Sequence, residues 1–183
     1  MKKISKVSRV GLISPRRGLG KGRQAVRAGV EQVTLIPEEV RVMARQIGLE
    51  RAKKIWELML KGIQGTLPEL SAYQWLESRH IEFEFQSPLL GGRGTHGGAI
   101  ADFLISDLSP AGYYIWRIQG DFFHAGMGTA VIAKDDIQKA RLRQMKIYGA
   151  PVLDVIDLWE SRIYSDFPRV FLMAEAGQEM GPV

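Results

Sequence analysis

The 183-residue chain contains no cysteine, which excludes disulfides and every thiolate zinc site and fits a reducing compartment. It has no uninterrupted apolar run of about 18 residues, so no membrane-spanning helix is expected. Its basic beginning lacks the continuous apolar segment of a secretory signal, and a cytoplasmic location is the expectation. There is no internal repeat. The most informative absence is of negative charge: no acidic residue precedes Glu31. In the same stretch stand Lys2, Lys3, Lys6, Arg9, Arg16, Arg17, Lys21, Arg23 and Arg27. The whole chain carries 25 Lys and Arg against 20 Asp and Glu, a net charge of +5 and a pI near 9.6. The surplus therefore belongs to residues 1–35, and the remainder is slightly acidic.

A basic segment of this kind attracts polyanions by releasing their counterions, and nucleic acid is the commonest such partner. Gly, Ser, Arg and Lys dominate it, with single apolar residues scattered between, which is too little apolar surface for a core. Two readings stand: a solubilising tail, or an arm that holds DNA or anchors the protein in a large assembly. Under the second, Arg16, Arg17, Lys21 and Arg23 are candidate phosphate contacts.

The rest has the composition of a globular protein, 45% hydrophobic and 25% charged. Residues 36–64 read as a helical segment. Pro37, Glu38 and Glu39 suit a helix N-terminus, and Val40, Met43, Ala44 and Ile47 form an apolar stripe up to Gly48. A second helix over about 50–63 buries Ala52, Ile55, Trp56, Met59, Leu60 and Ile63. Residues 65–177 read as an α/β domain. Thr66-Leu67-Pro68-Glu69-Leu70 opens a third helix that runs to about Ser78. Residues 80–86 alternate as a strand, with Ile81, Phe83 and Phe85 on one face and Glu82, Glu84 and Gln86 on the other. A glycine-rich loop over 89–98 follows; it lacks the Walker lysine and serine pattern. Strands over 99–106 and 113–119 form a hairpin. A helix over about 133–148 is expected to turn Ile137, Ala140, Met145 and Tyr148 inward and Lys134, Asp135, Lys139, Arg141, Arg143 and Lys146 outward, with Gly149 stopping it. A buried strand over 152–156, a short helical piece from Trp159 and a closing helix over 167–176 complete the chain.

Polar residues emerging from apolar strands mark a candidate site, because burial without partners costs several kcal/mol. Asp102 lies in the apolar run Ile100 to Ile105; Gln119, Asp121 and His124 cluster where the next strand ends. Metal-dependent phosphodiester cleavage uses carboxylates that hold Mg²⁺ against a phosphate oxygen and a group that activates water. A carboxylate on one strand and a second ligand on its neighbour, about 4.8 Å away, is a suitable geometry. Asp102 and Asp121 are the metal-ligand candidates, with Gln119 as a weak amide ligand. His124 titrates near neutrality and suits a general base. Each has a structural alternative: Asp102 as a turn cap, His124 packed beside Phe122 and Phe123, and Glu69 as a carboxylate favoured by its helix dipole.

Pro68-Glu69-Leu70, the Asp102-Phe103 strand, Gln119-Gly120-Asp121-Phe122-Phe123-His124 and the strand after Gly149 together resemble the PD-(D/E)XK nuclease superfamily, most closely its very-short-patch-repair-like branch. The resemblance implies a restriction-endonuclease-like core, a mixed central sheet flanked by helices, here with a basic N-terminal arm and a helical segment in front. It implies a Mg²⁺-dependent DNA endonuclease, with Glu69, Asp102, Gln119, Asp121 and His124 at the site and Lys139 and Arg141 on phosphates. Aligned on Gly120, however, Arg117 stands where the family carries an acid, and arginine has no lone pair for a metal. The helix register is open between Asp136 with Lys139 and Gln138 with Arg141. A second reading follows from Arg117: a catalytically degenerate nuclease fold kept as a nucleic-acid-binding or structural subunit of a phage particle or other nucleoprotein assembly, which would place it in a virion.

Overall fold

The computed structural model describes residues 36–89, 99–120 and 129–183. Two short helices come first, α1 (Glu38–Ile47) and α2 (Leu49–Leu60), packed on each other through Val40, Ile47, Ala52, Ile55 and Leu58. Then come α3 (Leu67–Ser78), β1 (Phe83–Leu89), β2 (Ala99–Ile105), β3 (Tyr113–Gln119), α4 (Thr129–Arg143), β4 (Lys146–Ile147), β5 (Ala150–Trp159), α5 (Glu160–Ser165) and α6 (Arg169–Glu175). Residues 38–183 form one compact unit, so the helical segment belongs to the same body as the sheet. Among the described residues no helix is long and apolar enough to cross a membrane.

The expected mixed α/β architecture is what forms. Five strands lie in the order β1-β2-β3-β5-β4. β1 with β2, β2 with β3 and β4 with β5 are antiparallel, whereas β3 and β5, linked through α4, run parallel. Alternation along the strands assigns the two faces. One face carries Phe103, Ile105, Trp116, Ile156 and Leu158 and is covered by Ala72 and Leu76 of α3, Ile163 of α5, and Val170, Phe171 and Ala174 of α6. Aromatic rings fill this layer: Phe103 lies 5.1 Å from Phe85 and 5.6 Å from Phe83, and Phe171 stacks on Trp75 at 5.4 Å. The opposite face carries Leu104, Ile115, Val152 and Val155 and is covered by Leu142 of α4 with Met145 and Ile147.

Several elements differ from the pattern reading. The first strand continues through Ser87 and Pro88 to Leu89 instead of ending there. It is an edge strand, where proline's missing N–H need not serve a second neighbour, and Gln86 at φ 53° kinks it. The fourth helix covers Thr129–Arg143, not 133–148. Residues 146–151 instead form a tight hairpin, Lys146 opposite Pro151 and Ile147 opposite Ala150. Gly149 is accordingly a turn residue, not a helix stop. Tyr148 and Gly149 have φ of 51° and 87°, the pattern of a type I′ turn. Left-handed backbone at a tyrosine costs about 1–2 kcal/mol. At the neighbouring hairpin, a Cβ on Gly112 would lie 2.2 Å from the Pro151 carbonyl oxygen, so only glycine lets the two turns approach.

Phe103 is fully buried at the centre of the aromatic layer. Phe103→Ala is expected to lower unfolding free energy by about 3–5 kcal/mol, measured by urea denaturation. A loss below about 1 kcal/mol would contradict this account of the core.

Candidate functional site

The parallel register sets Arg117 of β3 beside Asp157 of β5. Arg117 Nε donates to Asp157 Oδ1 at 2.7 Å, while its two terminal nitrogens grip both carboxylate oxygens of Asp135 at 3.1 and 3.0 Å. Asp135 is on α4, and four residues on, along the same helix face, Lys139 donates to Asp157 Oδ2 at 2.7 Å. Lys139 also donates to Glu179 of the C-terminal segment. Gln119 Nε2 reaches Asp157 Oδ1 at 3.1 Å, and the Asp157 N–H meets Glu179 at 3.3 Å. Arg117 and Asp157 are each buried. The cluster is therefore a closed set of ion pairs between the sheet and α4.

Burial alone would push the Asp157 carboxyl up, but hydrogen bonds from Arg117, Lys139 and Gln119 and the Arg117 charge outweigh it and hold its pKa below the ordinary value. For Arg117, burial works against the charge, and Asp157 with Asp135 more than compensates, so its pKa stands above the ordinary value. Both groups are charged at neutral pH.

The residues expected at the site fall differently. Asp102 is half-buried on β2, and its Oδ2 accepts from the Ile118 N–H at 2.7 Å. With Phe103 opposite Trp116, it therefore lies alongside the Arg117–Ile118 step of β3. Gln119 joins the cluster, through Asp157. Glu69 closes a capping box with Thr66: the Glu69 side chain accepts from the Thr66 N–H and the Thr66 hydroxyl accepts from the Glu69 N–H. Its carboxylate serves the helix end, which is the structural alternative. Lys139, expected outward on phosphates, is instead turned in and only 13% of its side chain is exposed. Asp135, also expected outward, is turned in with it. Asp136 and Arg141 are exposed, and Ile137 and Tyr148, expected inward, are exposed as well. Asp121 and His124, and likewise Arg16, Arg17, Lys21 and Arg23, lie outside the described residues.

Three members of the cluster were missed in the sequence: Asp135, Asp157 and Glu179. Asp157 offered the same signal as Asp102, an aspartate inside an apolar strand. Asp135 and Lys139 offered helical spacing. Nothing local announces Glu179, which arrives through the returning C-terminal segment where Met180 bridges to Leu158.

As a Mg²⁺ site the described side chains do not fit: the carboxylates that converge here face a guanidinium and an ammonium. Among the described residues no group of three or more His, Cys, Asp or Glu is arranged to hold a metal ion. Comparison of the chain with protein-family models, curated proteins and solved structures finds no match.

Asp157→Asn is expected to cost about 3–5 kcal/mol at neutral pH, because Arg117 and Lys139 would lose a buried partner. The depressed folded pKa also fixes a sign. Its stabilisation is complete above the ordinary carboxylate value of 3.8 and is lost as pH falls through the lower folded value. Denaturation midpoints between about pH 2 and 6 should show a shallower acid limb in the variant than in wild type. Superimposable limbs would refute the assignment.

Proposed function

We propose that the chain is a nuclease-like α/β fold that does not cleave, and that it serves as a nucleic-acid-binding or structural subunit of a phage particle or other nucleoprotein assembly. The observation that carries this reading is Arg117. The order α3-β1-β2-β3-α4-β5, with β3 and β5 parallel, is consistent with a restriction-endonuclease-like core. In such a core the second hairpin strand supplies an acid next to the aspartate of the first. Here Arg117 stands at that position and is held by Asp157 and Asp135. A positive charge fixed at this point repels the divalent cation that phosphodiester hydrolysis of this type uses, and releasing it would strand a buried charge. Mg²⁺ has no role in this reading.

Binding is assigned to the charge distribution. Residues 38–183 contain most of the acidic residues, whereas the nine basic residues named above precede Glu31. A segment that neutralises several phosphates gives affinity that falls steeply with salt, by about 10³–10⁵ between 50 and 200 mM for six to ten contacts. DNA is the proposed partner, and packaged nucleic acid is the setting in which charge-based, sequence-independent binding is sufficient.

The test compares the full chain, a variant lacking residues 1–30, and Asp102→Ala. Full-length protein is expected to bind DNA in a salt-dependent way and to leave supercoiled plasmid intact with Mg²⁺ or Mn²⁺. Deletion of residues 1–30 should abolish most of that affinity. Affinity unchanged by the deletion would reject the binding assignment. Plasmid nicking by wild type that disappears in Asp102→Ala would reject the non-cleaving assignment and restore the endonuclease reading.

A further inference from the structure

The tip of the β4–β5 hairpin is strained without a packing reason. Tyr148 adopts left-handed backbone at the first turn position, where Asn, Asp or Gly is the low-cost choice. Large side chains held in strained backbone are usually buried, so that packing offsets the strain. Tyr148 is 77% exposed. Its one ring contact is with Tyr113, which it meets edge-on at 6.1 Å between centroids. Most of the ring is thus left to solvent at the tip of a two-residue turn. Leu153, also exposed, packs at the Gly112 turn in the same corner. Lys146 in the hairpin and Arg141 at the end of α4 are exposed basic residues on the elements that lead into it.

We infer that Tyr148 is a stacking platform for an unpaired nucleobase of single-stranded nucleic acid. A tyrosine ring with only two rotatable bonds loses little freedom on contact. Any base offers it a π-face, so the contact is tolerant of sequence. Lys146 and Arg141, exposed on the elements that flank the turn, are the proposed contacts for the flanking phosphates. This function lies outside the Arg117 cluster and rests on the nucleic-acid reading above, adding a base-dependent contact to one that is otherwise purely ionic.

The experiment measures binding of the full chain to two labelled single strands of equal length and charge, oligo-dT and its abasic analogue. Binding of the abasic strand reports charge alone; the ratio of the two affinities reports stacking. Wild type is expected to favour oligo-dT by at least about 5-fold. Tyr148→Asn, which takes left-handed backbone readily, should bring the ratio to about one while leaving abasic affinity unchanged. Tyr148→Phe, which keeps the ring, should retain most of the preference. A wild-type ratio near one overturns the inference without any variant. So does a preference that survives in Tyr148→Asn. Failure of wild type to bind either strand overturns the nucleic-acid reading itself, and the inference with it.

Discussion

The pairing of Arg117 with Asp157 is the constraint on which the middle of the molecule depends. Two charges enter a layer otherwise made of Leu104, Ile115 and Val155. Each would be costly there alone, and together they break about even against an apolar pair. What the pair provides is specificity. Sliding β5 by one residue against β3 would send Asp157 to the aromatic face and bring Ile156 or Leu158 against the guanidinium. The observed register, Arg117 beside Asp157, is the one that satisfies both faces at once.

The same pair decides how α4 sits. A helix with Ile137 at one side and Asp135 and Lys139 at another would normally turn the isoleucine inward. Here Ile137 is exposed while Asp135 and Lys139 face the sheet. The reason is that the Arg117–Asp157 pair of the sheet still has donors and acceptors to satisfy at that point, which Asp135 and Lys139 meet, and leaving them unmet costs more than exposing one isoleucine. Pattern reasoning on the helix alone lacks this information, because the deciding charges sit on other elements. Leu142, one turn further on, stays inward where the sheet face is apolar again. The helix therefore changes from polar to apolar contact along its length, in step with the strands beneath it.

Much of the fold was nevertheless legible. The alternation of Ile81, Phe83 and Phe85 marked the first strand, the apolar run around Asp102 marked the second, and the Thr66-x-x-Glu69 pattern marked a helix start. The failures share a cause. Gly149 punctuates either a helix C-terminus or a two-residue turn, and Met145 to Tyr148 suits either, so the hairpin was read as helix. The first strand was read no further than Gln86, because the edge position that lets Pro88 continue it is a property of the sheet, not of the segment. In the candidate site, the argument that singled out Asp102 applied equally to Asp157 but was used only once. Arg117 was recognised as a conflict with the endonuclease pattern; its partners were not. Glu179 was beyond reach, since its position depends on the chain returning past β5.

An internal cation and a bound metal ion solve the same problem of converging carboxylates, with different consequences for folding. Carboxylates gathered around a metal repel one another when the metal leaves, so their stability follows metal concentration and falls with chelation. A guanidinium is covalently part of the chain and remains charged across the accessible pH range. Arg117 and Lys139 therefore make the sheet–α4 junction independent of any ion in solution, with acid as the condition that weakens it, through protonation of Asp157. The cost is chemical: a carboxylate whose lone pairs are taken by Arg117, Lys139 and Gln119 has little left to offer a reacting centre. Stability of this junction and metal chemistry at it draw on the same lone pairs, and in this chain the network of hydrogen bonds assigns them to the fold.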